Sequence, residues 1–293
     1  MVRDKALFGP AGNCEAFYAA GNKHTVQVFP WIAEHGLTAY EYQCGRGVRL
    51  SESSAVAIRT AAEQNGVTVS LHAPYFISLA SAEEEKRENS IRYILDSARA
   101  VALLGGDRIV VHPGGLGGRS REEATALATE TLLRAQAVLD AEGLSAVHIC
   151  PEVMGKINQL GTLEEVLTFC RAERRFLPCV DFGHLNSRTL GATNSREAFS
   201  AVVDAIGEAL GEDRRRSFHI HFSKIEYTGG GEKKHLTFED TLFGPDPQPL
   251  MELLAEEGLC PTVICESAGT QTADAAFMSR QYDFALSKTQ NMA

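Results

Sequence analysis

The chain contains no C-x-x-C pair, no G-x-G-x-x-G turn, no excess of basic residues and no long apolar run. Each absence removes a class of explanation. Its seven cysteines (Cys14, Cys44, Cys150, Cys170, Cys179, Cys260, Cys265) are odd in number and unpaired in spacing, which argues against a disulfide framework and a thiolate zinc site. Cys150, Cys179 and Cys265 fall inside apolar runs, where a thiol packs as a small hydrophobe. This usage predicts a reducing, cytoplasmic setting. The turn GPAGN after the first apolar run lacks the glycine spacing of a dinucleotide-binding fold. No stretch approaches the roughly 20 apolar residues of a membrane span. The start MVRDKALFGPAGN is charged and soon enters an apolar run, unlike a signal peptide. The net charge of −10 offers no broad basic surface for nucleic acid, so a phosphate-bearing substrate would have to be drawn by local cations and metals. Linkers rich in Pro or Ser and low-complexity tracts are also missing, so one domain over 1–293 is expected.

What the chain does have is alternation. Strand-like runs fall near 5–10, 38–43, 68–74, 108–114, 147–153, 177–184, 216–223 and 261–267, with amphipathic stretches of helical spacing between them. SESSAVAIRTAAEQNG shows the pattern, with serines suited to an N-cap and Gly66 suited to the far end. Eight strand–helix repeats predict a parallel sheet closed into an α/β (β/α)8 TIM barrel, a fold that commonly takes about 250 residues. An open doubly wound sheet is the competitor. The loops after strands four to seven are long, and KIEYTGGGEKKHLTFEDTLFGPDP is the longest.

The runs also share an ending. VSLHAP, RIVVHPG, VHICPEV, LPCVDFGH, SFHIHFS and TVICES place His72, His112, Glu152, Asp181, His219 and Glu266 at equivalent strand ends, where a barrel keeps its chemistry. Ordinary core histidines have no reason to share that register, and His24, His35 and His148 are assigned to ordinary packing. Converging carboxylates need a cation among them. Imidazole and carboxylate without thiolate suit zinc, with manganese or iron as alternatives.

LHAPYFISLAS, VVHPGG, PEVMGK with NQLGTLEE, VDFGH, HIHFSK and ICES occur in the order and spacing of the endonuclease IV family, and the resemblance spans nearly the whole chain. It implies a zinc-dependent phosphodiester hydrolase of DNA repair that cleaves damaged DNA 5′ to abasic sites with a metal-bound hydroxide. It also implies a first zinc site of His72, His112, Glu152 and Glu266. Glu152, Asp181 and His219 resemble the second, with Glu152 bridging as the catalytic carboxylate. His184 and His235 resemble part of a third. The family's remaining ligand, an Asp two residues before the last His, is Lys233 here. Glu232 is the candidate substitute, or the Lys233 ammonium stands in for the third ion.

Two other departures are Gly9-Pro10, where the family has a His, and His221-Phe222, where it has Asn-Asp. Tyr75 resembles a residue that inserts beside the damaged nucleotide. Arg46, Arg49, Arg119, Arg121, Lys156, Lys224, Lys233 and Lys234 are loop cations available to phosphate, with Lys224 and Lys233 the chosen contacts. The rival reading is a single-metal sugar isomerase or epimerase of the xylose isomerase-like superfamily, using Glu152, Asp181, His219 and Glu266. His72, His112, His184 and His235 are surplus to that enzyme.

Overall fold

The computed structural model describes residues 4–292. The first three residues of the charged start therefore lie outside the described residues. Eight parallel strands form the barrel: β1 (Leu7–Pro10), β2 (Ala39–Gln43), β3 (Thr68–His72), β4 (Arg108–Val111), β5 (His148–Pro151), β6 (Cys179–Asp181), β7 (His219–Phe222) and β10 (Thr262–Cys265). Every one lies within a run read from the sequence. Two four-stranded arcs, β1-β10-β7-β6 and β2-β3-β4-β5, meet at single parallel bridges, Ala11 with Glu41 and Glu152 with Cys179. Backbone bonds from Thr38 N to Phe8 O (3.0 Å) and from Val153 N to Cys179 O (2.9 Å) close the ring.

Closure brings β1 and β2 unusually near. A Cβ on Gly9 would lie 1.7 Å from the Ala39 carbonyl oxygen, so no side chain fits there. That is the physical reason β1 offers no ligand at the position where the resemblance led one to look for a histidine.

Around the barrel run α1 (Glu15–Ala19), α2 (Val28–Glu34), α3 (Glu52–Gln64), α4 (Glu84–Leu103), α5 (Arg121–Ala141), α6 (Leu163–Ala172), α7 (Phe182–Arg188), α8 (Arg196–Leu210), α9 (Glu212–Ser217), α10 (Gln248–Glu256) and α11 (Gln271–Met292). Hydroxyl caps start several of them. Ser51, Ser120, Thr162 and Ser195 each accept a backbone N–H of the first turn, and Ser120 and Thr162 form capping boxes with Glu123 and Glu165. One hydrophobic cluster joins buried residues from Ala6 to Ala285, and a small separate one (Val110, Cys150, Leu177, Cys179) contains residues of β4, β5 and β6. All seven cysteines are buried and free. No helix among the described residues is long and apolar enough to cross a membrane.

Two elements depart from expectation. The sixth run stops at Asp181 rather than 184, because the Asp181 carboxylate accepts the His184 backbone N–H (2.8 Å) and caps α7. The long loop after β7 contains an antiparallel hairpin, β8 (Ile225–Thr228) and β9 (Gly231–His235). Gly231, at φ +88°, lets β9 press against the loop after β5, where the Glu232 N–H donates to Gly155 O at 3.1 Å.

Candidate metal centre

Register decides which side chains meet. Asp181 pairs with His221, and Cys179 pairs with His219. Side chains two apart on a strand point the same way, so β7 sends both histidines inward, one layer above the other. The level of Asp181 belongs to His221. The expectation that His219 joins Glu152 and Asp181 is therefore corrected: His219 sits a layer deeper, fully buried, with Nε2 3.1 Å from Glu41 Oε2.

At the upper level the groups converge. His72 Nε2 and His112 Nε2 lie 3.4 Å and 2.9 Å from Glu152 Oε2. His221 Nδ1 lies 3.3 Å from Glu152 Oε1 and 3.6 Å from Glu266 Oε2. The ligand atoms of His72, His112 and Glu152 fall within 4.8 Å of one another, as do those of Glu152, Asp181, His221 and Glu266. Glu152 belongs to both groups. His72 Nδ1 is 2.9 Å from the Ala73 carbonyl, which holds the ring with Nε2 toward the centre.

A second group sits to one side. His184, on the first turn of α7, places Nδ1 3.2 Å from Asp181 Oδ2 and 3.3 Å from Glu152 Oε1, and Nε2 3.4 Å from Glu232 Oε2. His184, Glu232 and His235 form a further set within 4.8 Å. Sequence spacing alone made Glu232 an awkward partner, because residues three apart on a regular strand face opposite ways. A β-bulge removes the difficulty. Ile225 pairs with His235 and Tyr227 with Glu232, leaving Lys233 as the extra residue, so Glu232 and His235 share a face.

The electrostatics favour a cation. Burial would raise the Glu152 carboxyl, but His112 and His221 hold it well below the usual carboxylate range. Burial would lower His184, yet Asp181 and Glu152 push it up to about 10. Glu152 likewise raises His72 against the effect of burial. His219 behaves oppositely: burial outweighs Glu41 and brings it down to about 4, so it is neutral. Buried oxygens Glu152 Oε2 and Asp181 Oδ2 lack hydrogen-bond partners. Orphaned carboxylate lone pairs facing imidazole nitrogens fit a divalent ion of the zinc type.

The centre opens into a cleft of about 500 Å³, with Tyr75, Lys156, Gln43 and Gln271 among its walls. Tyr75 is 59% exposed at the rim, its ring 5.4 Å from that of His72 and 5.3 Å from that of His112. Two expected phosphate contacts are corrected. Lys224 does not line the cleft; its ammonium donates to the carbonyls of Phe238 and Asp240 in the segment after β9. Lys233, as the bulge residue, turns outward and pairs with Glu226. Arg121 is spent on Glu165. Among the loop cations named above, Lys156 lines the cleft.

Sequence reasoning missed Glu41 altogether. The alternation A-Y-E-Y-Q, with one charged residue between tyrosines, was the available signal. For His221 the signal was the spacing H-I-H.

Residues 29–282 match the family described as xylose isomerase-like TIM barrel. The chain is 35% identical over 231 residues to an uncharacterized protein of Methanocaldococcus jannaschii, a match that covers 79% of this chain and 82% of that one. It is 28% identical over 211 residues to endonuclease 4 of Thermus thermophilus, covering 70% and 73%. The crystal structure of endonuclease IV from Thermus thermophilus superposes with a TM-score of 0.69 at 22% identity, over 96% of this chain and 99% of that one. A D-tagatose 3-epimerase-like protein superposes at 0.67 and 22% identity, over 90% and 93%. At those identities the superpositions speak for the fold alone. The chain belongs to the xylose isomerase-like TIM barrel family.

Proposed function

We propose that this protein is a zinc-dependent phosphodiester hydrolase, acting as one domain over 1–293, with damaged DNA carrying an abasic site as the first substrate to try. The observation that carries the reading is the number of ligands. A single-ion site is complete with Glu152, Asp181, His221 and Glu266, yet His72 and His112 complete a set around Glu152, and His184, Glu232 and His235 make another. Imidazoles in that number, buried or half-buried and aimed at carboxylates, are hard to account for in a one-ion sugar enzyme. Relatives named endonuclease 4 support the same reaction class.

His72, His112 and Glu152 would hold one ion; Glu152, Asp181, His221 and Glu266 a second; His184, Glu232 and His235 a third. Divalent ions so placed would ease deprotonation of an attacking water and offset charge gathering on the phosphate and leaving oxygen. Glu152 keeps the first two groups together, since its two oxygens face different histidines. Lys156 supplies the cleft wall with a cation for a substrate phosphate. Tyr75 offers an aromatic face on which a base or sugar can pack.

Metal analysis beside incision of an oligonucleotide with one abasic site tests this. Two or three zinc ions with incision is the expected result, and Glu152→Gln should cut turnover by at least about 1000-fold, because the carboxylate common to two ligand sets becomes a neutral amide. Wild-type turnover by that variant refutes the role. A second reading, a one-metal isomerase or epimerase, is kept because the Glu152, Asp181, His221 and Glu266 quartet is itself a complete single-ion set. One ion and no incision would establish it in place of the first.

A further inference from the structure

We propose that Glu41 is a positioning residue, which fixes the nitrogen that His221 presents to the metal centre. The proposal rests on reading the upper cluster as a metal site. Glu41 lies in β2 and is fully buried. Its Oε1 is 3.0 Å from His221 Nε2, and its Oε2 is 3.1 Å from His219 Nε2. Ser70 Oγ donates to Oε2 at 2.9 Å, and Gln43 Nε2 reaches Oε1 at 3.3 Å. Two donors, Ser70 and Gln43, and two imidazole nitrogens of β7 thus surround one carboxylate in the barrel interior.

A buried carboxylate is stable only if N–H and O–H groups meet its oxygens. A neutral imidazole has one N–H to give. An imidazole that holds a cation through Nδ1 keeps its one N–H on Nε2, and Glu41 Oε1 is the carboxylate oxygen 3.0 Å from that nitrogen of His221. The Nδ1 lone pair then faces Glu152 Oε1 at 3.3 Å and Glu266 Oε2 at 3.6 Å. Three sets of lone pairs facing one another repel unless a cation lies between them. With Glu41 removed, the hydrogen can move to Nδ1 and bond to Glu152, and His221 then ceases to be a ligand. Carboxylate–histidine–metal arrangements of this kind fix the tautomer and strengthen the imidazole as a base.

His219 has a different task in the same arrangement. It lies level with Cys179, below the metal-facing layer. Its Nε2, 3.1 Å from Glu41 Oε2, sets a second imidazole against that carboxylate.

The test compares full-length wild type with Glu41→Gln. Zinc affinity is read by competition with a chromophoric chelator, and ligand geometry by the visible absorption of the cobalt-substituted protein. An amide at position 41 presents N–H as readily as oxygen to His221, so zinc should bind about 10- to 100-fold more weakly, with an altered cobalt spectrum. Should Glu41→Gln fail to fold, nitrogen-15 NMR of the zinc-loaded wild type decides instead. His221 with its hydrogen on Nε2 supports the proposal, and the hydrogen on Nδ1 overturns it. Zinc binding by Glu41→Gln within about twofold of wild type, with an unchanged cobalt spectrum, also overturns it. Wild-type protein that takes up no zinc sinks the metal reading and this proposal together. Wild type that takes up zinc while Glu41→Gln is unaffected sinks this one alone.

Discussion

The two groups of candidate metal ligands in this protein are built by different means. His72, His112, Glu152, Asp181, His221 and Glu266 stand on the strands or one residue beyond them, and most are almost fully buried. The outlying set is assembled from a helix start and a hairpin: His184 from the first turn of α7, Glu232 and His235 from β9. The axial groups inherit their positions from the barrel, whose register leaves no freedom once one strand is placed. The outlying group depends on two local devices, the Asp181 cap and the bulge at Lys233. Strand-borne ligands are therefore the rigid part of the centre, and loop-borne ones the part that sequence change can retune.

The largest expected effect separates His221 from His219, which the same strand carries two residues apart. His221→Ala takes a ligand from the quartet and should weaken zinc binding by at least about 100-fold, read by chelator competition. His219→Ala should leave zinc binding within a few-fold. Its cost falls on folding, at about 2–4 kcal/mol, because it opens a cavity in the barrel interior and takes a polar neighbour from buried Glu41. Urea denaturation measures that cost. Equal loss of zinc by both variants would erase the distinction between the two layers.

The next effect sharpens the comparison between the axial and outlying groups. Glu232→Ala removes the carboxylate that His184 and His235 share, so zinc content should fall by about one ion per chain while the axial ions remain. Incision should drop by roughly 10- to 1000-fold, since the axial groups still act on water and phosphate. Loss of every ion would mean that the outlying set holds the axial one in place, contrary to the picture of a rigid barrel centre.

Legibility in the sequence follows the same division. The barrel could be read because each strand is a short apolar run between amphipathic helices, and all eight lie within their expected ranges. His72, His112, Glu152, Asp181 and Glu266 could be placed at one face because a barrel gathers strand ends there. His219 was misplaced by one layer, since a motif fixes residue order but not the inter-strand register that sets depth. The pairing of Asp181 with His221 is a tertiary fact. Lys233 and Lys224 were read as phosphate contacts because a lysine on an active-face loop looks free in one dimension. One is a bulge residue turned to Glu226, and the other is bound to backbone carbonyls. Glu41 went unread because its partners, His219, His221 and Ser70, come from other strands. Only closure of the barrel brings them to it.

The smallest effect tests the bulge itself. The expectation from spacing was that Lys233, two residues before His235, either occupies the third-ion position or replaces that ion with its ammonium. In the structure the residue is exposed, turned away from the cleft and paired with Glu226 on the outside of the hairpin. Such an exposed pair contributes about 0–1 kcal/mol at most. Lys233→Ala should therefore change zinc content not at all and incision by no more than about twofold, because the bulge is held by the pairing of Tyr227 with Glu232 and of Ile225 with His235. A tenfold loss of incision at unchanged zinc content would return the ammonium to the reaction. Loss of one ion would show instead that the bulge needs this side chain to keep Glu232 facing His184.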